Sequence, residues 1–300
     1  MAIIRKGKSL RMKKEVVSPF DIKLEFDKST ENPSRLFQSF AELIDSISRL
    51  DTVIAKTVNT TVSAKIYLDD FEKGSLIAKL WNELILNDDN KIDDVQSSEP
   101  VSEYIEEARA ASLNYLSNGK SSVTELQGLN KEIKNIADKK DLAKSFNYVD
   151  VDLLELASAL NEVNNSTDKL TDKEKYTVTS PNTDARELKA GTPKIDIEAV
   201  ENALTSDTIT NTSQVYYKIK RPDFLGDSQW EFKFGNKNIK AKILHEEWLT
   251  KFHNGEVVVV PGDSLRVKVK QVSKYNKNGY LISDKIEIVE VLGIKRNKEE

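Results

Sequence analysis

At 300 residues, 38% of them apolar and 31% charged, with a formal net charge of −4, the chain is long enough for about two domains with packed cores. It has no cysteine, which excludes disulfides, thiolate zinc sites and cysteine nucleophiles and fits a reducing compartment. No apolar run reaches the ~18 residues of a membrane span. The first residues lack the apolar core of a secretory signal, so a cytoplasmic location is expected.

Residues 1–14 hold Arg5, Lys6, Lys8, Arg11, Lys13 and Lys14 and no acid. They read as a short solvated basic arm, with Ile3, Ile4 and Leu10 leaving room for one short strand. Residues 15–163 read as an α+β domain. Phe20, Ile22, Leu24 and Phe26 alternate with Asp21, Lys23, Glu25 and Asp27, which predicts a strand in a sheet with one covered and one wet side. Asn32-Pro33 then opens a helix, with Asn as cap and Pro at the first helical position. Leu36, Phe37, Phe40, Leu43, Ile44, Ile47 and Leu50 keep the helical period, and the helix is expected to end between Asp51 and Thr57.

Val62, Ala64, Ile66 and Leu68 alternate and predict a second strand. The spacing of Ile77, Leu80, Trp81, Leu84 and Ile85 predicts an amphipathic helix after it. The unit is then strand–helix–strand–helix, with a right-handed crossover if the two strands are parallel neighbours. Asp69-Asp70-Phe71-Glu72 could hold a metal, but no other acid or histidine is spaced to complete a site. Those carboxylates read as a cap and favourable charges at the start of the second helix.

Residues 87–100 are polar and acidic and read as a loop. Helices are expected at about 101–116, 122–139 and 151–163, with Ser117-Asn118-Gly119 ending the first. They either finish the first core or form a helical arm. Residues 164–212 read as a polar linker, with a short helix at Ile195–Leu204 and room for a short strand at Tyr176–Val178.

Residues 213–300 read as a small antiparallel β sheet or barrel with one short helix, His245–His253. The alternating sets are Val215, Tyr217 and Ile219; Trp230, Phe232 and Phe234; Ile239, Ala241 and Ile243; Leu265, Val267 and Val269; and Ile286, Ile288 and, after a one-residue slip, Val291. Val257–Val260, apolar on both faces, predicts an interior strand. This region carries 17 basic and 12 acidic residues, and the other 212 residues carry 28 and 37. A basic β domain is thus joined to an acidic α+β domain.

His245 and His253 stand eight apart on one short helix and lack the i, i+4 spacing of a helical zinc site, so they read as helix-end histidines. Gly119-Lys120-Ser121 resembles the end of a phosphate loop, but its upstream glycine is Asn114 and a helix precedes it. No cofactor and no metal is expected. The expectation is a non-catalytic binding, adaptor or sensor protein that assembles with a protein partner or as a homo-oligomer. High Lys, Asn and Ile usage suggests an AT-rich bacterial or phage genome, and the style and composition of the chain suggest a bacterial accessory protein of a phage-defence (antiviral) or mobile-element locus. The alternative is a nucleic-acid-binding protein. It would use the outward residues Lys218, Lys220, Lys233, Lys240, Lys242, Arg266, Lys268 and Lys270, with Tyr216, Tyr275 and Tyr280 to stack on bases.

Overall fold

The computed structural model describes residues 17–27, 29–60, 62–72, 76–86, 99–142, 148–226 and 228–297. The basic arm and most of the 87–100 loop lie outside the described residues. The chain divides into two compact units, residues 1–200 and 201–300.

The first unit holds β1 (Val17–Glu25), α1 (Pro33–Ala55), β2 (Val62–Glu72), β3 (Leu76–Leu86), α2 (Glu99–Ser117), α3 (Val123–Lys139), α4 (Leu153–Thr167), β4 (Lys175–Ser180) and β5 (Thr183–Leu188). A short α5 (Ile197–Leu204) ends it and leads into the second unit. The strands form one sheet in the order β2-β3-β1-β4-β5, and every neighbouring pair is antiparallel. One face is buried, by Phe20, Ile22 and Leu24 of β1, Ala78, Leu80 and Leu84 of β3 and Tyr176 and Val178 of β4. α1 packs on β2 and α4, and α2 on β1, β5 and α3, so these helices belong to the first core. The other face is the wet one, where Asp21 faces Lys79, Lys65 faces Glu83, and Tyr67 stacks on Trp81 at 4.5 Å.

α1 begins at Pro33 as the sequence predicts, but Asn32 does not cap the backbone. Its carbonyl accepts the Ser34 hydroxyl at 2.7 Å. The helix expected over Ile77–Ile85 is instead strand β3. Leu80 and Leu84 satisfy both periods, so spacing alone left helix and strand tied. Pairing decides it: β3 lies between β2 and β1 with both edges bonded, and its Lys79 and Glu83 face opposite charges across the ladder. β1 and β2 are therefore not neighbours, and no crossover joins them. Residues 69–72 start no helix, because strand β3 follows them. They lie within β2, which has a bulge between Leu68 and Asp70.

The 164–194 segment is not a linker. It supplies β4, hydrogen-bonded to β1, and the edge strand β5. Its polar composition belongs to the turns around these two short strands. One such turn holds Glu174, fully buried against Arg35.

The second unit holds β6 (Asp207–Arg221), β7 (Trp230–Phe234), β8 (Lys237–Ile243), α6 (Glu246–His253), β9 (Ser264–Tyr275) and β10 (Leu281–Lys295). The strands close into a barrel in the order β10-β8-β7-β6-β9. All neighbours are antiparallel except β8 and β10, which run parallel. The expected slip in β10 is a bulge between Ile288 and Glu290.

Tyr217, Trp230, Phe232, Ala241, Ile243, Leu265, Val267 and Ile288 fill the interior. α6 adds Trp248, Leu249 and Phe252 to it, with the Trp248 and Phe252 rings parallel 5.6 Å apart and Trp230 4.9 Å from Phe252. Each such burial is worth about 1.5–3 kcal/mol, so this aromatic plug adds substantially to the cohesion of the unit.

Val257–Val260 is not an interior strand. Val257 and Val259 pack against the core, while Val258 is 57% and Val260 46% exposed. A side chain replaces the ladder here. Buried Asp263 accepts the Val260 N–H at 3.0 Å, the Asn297 N–H at 3.2 Å and the Arg296 guanidinium at 2.7 Å. Burial pushes the Asp263 carboxyl up, but these donors outweigh it and hold its pKa below the ordinary value. Gly262 fits beside it at φ +96, where a Cβ would come within 2.5 Å of the Asn297 side chain.

Candidate functional site

The basic positions of the second unit are carried by alternation. Lys218 and Lys220 lie on β6, Lys233 on β7, Lys240 and Lys242 on β8, and Arg266, Lys268 and Lys270 on β9. All are exposed except Lys242, which is half-buried. Closure of the barrel spreads them over four of its five strands, so they do not share one face. Acids interleave with them. Lys240 faces Glu231, Lys242 and Lys270 both face Glu287, and Lys268 faces Glu290. Glu231 also lies 3.4 Å from both Lys220 and Arg221. Lys218 and Lys233 face each other directly.

The tyrosines separate as well. Tyr216 faces Arg266, and Tyr275 lies nine register positions further along β9, opposite Asp207. At ~3.3 Å per residue they are about 30 Å apart, too far for one stacking platform. Tyr280 is 69% exposed, in the turn between β9 and β10.

What the structure does gather is smaller. The Tyr216 ring is half exposed, the Lys295 ammonium lies 5.6 Å from its centroid, and Arg266 donates to the Gln214 side-chain carbonyl at 3.0 Å. Lys295 was not among the sequence-predicted residues. Only the β9–β10 register brings it beside β6.

The two histidines act within the fold. His245 Nδ1 accepts the Val291 N–H at 3.0 Å, and His253 Nε2 lies 3.3 Å from the Asp223 carbonyl oxygen. Asp223 gathers the N–H groups of Leu225, Gly226 and Ser228 and the Ser228 hydroxyl. These donors, the hydroxyl foremost, hold its pKa well below the usual carboxylate range. Gly119-Lys120-Ser121 is a helix end: Gly119 at φ +66 closes α2, and Ser122 caps α3. Among the described residues no group of three or more His, Asp or Glu is placed to hold a metal.

The first unit buries a polar cluster that the sequence pattern hid. Arg109 Nε donates to Asp51 Oδ1 at 2.9 Å, and Asn82 Nδ2 donates to Asp51 Oδ2 at 2.5 Å. Arg109 Nη2 donates to the Ser18 hydroxyl at 2.7 Å, and its guanidinium lies 4.3 Å from the Phe20 centroid. The remaining Nη1 has no partner. Burial pushes the Asp51 carboxyl up, against the pull of Arg109 and Asn82. Asp51 falls on the buried stripe of α1 and Asn82 in the apolar run of β3. A polar residue breaking such a pattern was the available signal.

An open groove of about 650 Å³ lies between α2, α3 and the β4–β5 turn, lined by Glu107, Glu132, Lys139, Asp184 and Arg186. Beside it, buried Glu106 accepts the Asn182 backbone N–H at 2.6 Å and its side-chain amide at 3.1 Å.

β6 is longer than the barrel needs. It pairs with β7 only from Lys218 to Arg221, while its pairing with β9 begins at Asp207. Residues 207–214 are exposed throughout. With β9 and β10 they form a three-stranded ribbon running on from the barrel. Glu201, the first residue of this unit, lies 3.4 Å from both Lys274 and Lys285 of the ribbon. A scan against protein-family models, a search of curated proteins and a search of solved structures each return no match to this chain.

Proposed function

We propose that the chain is a non-catalytic binding protein, an adaptor or sensor that assembles with a protein partner or with itself through the ribbon of its second unit. One observation carries this reading: a nine-residue length of β6, Thr208–Tyr216, has β9 on one side and no strand on the other among the described residues. Such an edge offers backbone donors and acceptors to an added strand. A role in a bacterial phage-defence or mobile-element locus is the wider part of the same proposal and rests on composition.

Hydrogen exchange on the full chain tests it, comparing a dilute purified sample with material affinity-isolated from producing cells and with a concentrated sample. The β6 amides that are not bonded to β9 are expected to exchange fast when dilute and slowly when assembled. Equally fast exchange in all three overturns the reading.

A second reading rests on Tyr216, Arg266 and Lys295, which place an aromatic face beside two cations. It makes the outer surface of β6 and β9 a single-stranded nucleic-acid contact. The full chain should then shift a labelled oligonucleotide at low salt, and the double change Arg266→Glu and Lys295→Glu should abolish the shift. Absence of a shift by the unaltered chain ends that reading.

A further inference from the structure

Antiparallel alternation fixes which way the β6 backbone points. The Ile219 N–H donates to the Asp263 carbonyl at 2.9 Å, and this pair continues the register in which Lys218 faces Ser264 and Thr208 faces Lys274. Odd-numbered residues of β6 therefore bond β9, and the even-numbered ones turn their N–H and C=O groups the other way. Before Lys218, Thr208, Thr210, Thr212, Gln214 and Tyr216 point at no strand among the described residues. At the far end the Thr208 N–H is already met by the carboxylate of Asp207 at 2.8 Å.

Three properties of this edge choose its occupant. The first is charge. From Thr208 to Tyr217 the chain reads Thr-Ile-Thr-Asn-Thr-Ser-Gln-Val-Tyr-Tyr, with no charge, proline or glycine. Edges that stay single are usually guarded by lysine, proline or a bulge, and the β6–β9 ladder runs without a register shift.

The second is length. The open run is bounded by Asp207 at one end and by the Lys218–Lys233 pair at the other, so its midpoint is Thr212. The third is symmetry. An antiparallel copy centred on Thr212 pairs Thr212 with itself, Thr210 with Gln214 and Thr208 with Tyr216. All of these turn their backbone groups away from β9, so donors meet acceptors from Thr210 to Gln214, the Thr208 N–H staying with Asp207, and the central contacts are threonine on threonine. The copy ends where the β7–β8 hairpin begins.

We infer that the chain forms a two-fold dimer in which two β6 strands pair antiparallel across Thr212, joining two ribbons into one continuous sheet. The contact is isologous, so it closes at two copies. The inference rests on the reading of the ribbon as an assembly element and names the partner as a second copy.

The test uses the full chain in sedimentation equilibrium, where the expected mass is twice 33.9 kDa. Thr212→Pro removes an N–H that points away from β9, so it spares the barrel ladder and strikes the axis. It should weaken the dimer about a hundredfold, as two lost axial hydrogen bonds imply. Thr212→Lys puts two like charges on the axis and should do the same without altering the backbone, while Thr212→Val should leave the dimer intact.

Because the chain has no cysteine, Thr212→Cys places one thiol on each side of the axis. The ~5.5 Å Cα spacing of a hydrogen-bonded pair lies within disulfide range. Oxidation should give a covalent dimer, and Thr250→Cys, exposed on α6, should not. A dimer that survives both Thr212→Pro and Thr212→Lys overturns this edge while self-assembly stands. A monomer at every concentration overturns the inference alone. The wider reading falls only if β6 exchange is also equally fast in every sample.

Discussion

The two units treat charge in opposite ways. The first buries it: Asp51 with Arg109 beneath the sheet, and Glu174 with Arg35 in the turn before β4. The second keeps its cations outside and closes its interior with rings, Asp263 being its one fully buried carboxylate among the described residues. A buried ion pair gives little net stability but costs a great deal when half of it is removed. An aromatic plug gives stability in proportion to the area it hides. The first unit should therefore be sensitive to pH and to single polar substitutions, and the second to lost volume.

The largest effect should come from the plug. Trp230→Ala removes the largest fully buried side chain and opens a cavity among Phe232, Trp248 and Phe252. A loss of about 5 kcal/mol is expected, the upper end for such a truncation. Denaturant unfolding should show the transition of the second unit shifted and that of the first, followed through Trp81, unmoved. A shift of both would mean that the units do not unfold separately.

Arg109→Met is the matching cut in the first unit. It leaves the Asp51 carboxyl buried beside Asn82 alone, at a cost of about 3–4 kcal/mol. Adding Asp51→Asn to it should recover part of the loss, because no buried charge is then left unpaired. A double variant as unstable as the sum of its parts would show that the two residues act independently.

The sequence made the second unit more legible than the first, and the comparison explains why. A barrel strand hides one face and shows the other, so Trp230, Phe232, Leu265, Val267 and the slip before Val291 were visible as period two. β3 was not, because Leu80 and Leu84 suit a helix equally well and only the strands on either side decide. β4 (Lys-Tyr-Thr-Val-Thr-Ser) and β5 (Thr-Asp-Ala-Arg-Glu-Leu) are short and mostly polar, and they are strands because β1 offers an edge. The candidate site was legible as a list of lysines but not as a surface. Alternation says that a residue points outward, and closure of the barrel says in which direction. The open edge of β6 was invisible for the same reason: an unpaired strand is defined by the neighbour it lacks.

Acid should act on the first unit through one carboxylate above all. Glu174 accepts Arg35 Nη1 at 2.6 Å, Arg35 Nη2 at 2.8 Å and the Thr171 N–H at 2.8 Å; chiefly through Arg35, its pKa falls from 4.5 to about 2. The folded value lies below the unfolded one, so the stabilisation is complete above about pH 4.5 and is lost as pH falls towards about 2. At 1.36 kcal/mol per unit this amounts to about 3 kcal/mol. Glu174→Gln should flatten the stability of the first unit across that window. A Glu174→Gln variant whose first unit still loses stability as steeply as the parent's between pH 4.5 and 2 would contradict the assignment.

The smallest effect tests whether the first unit's surface follows the same logic as its interior. Ser122 caps α3, accepting the Glu125 N–H at 3.3 Å, while Glu125 reaches back to the Ser122 N–H at 3.1 Å and its hydroxyl at 2.6 Å. The hydroxyl foremost, and the N–H after it, hold the Glu125 pKa below its ordinary value. The group is solvent-exposed, so the lost hydrogen bonds are replaced by water and no buried charge is stranded. Ser122→Ala should cost only about 1 kcal/mol, read as a small fall in the midpoint of the first unit alone. A cost as large as that of Arg109→Met would mean that α3 anchors the groove beside α2 and does more than cover it.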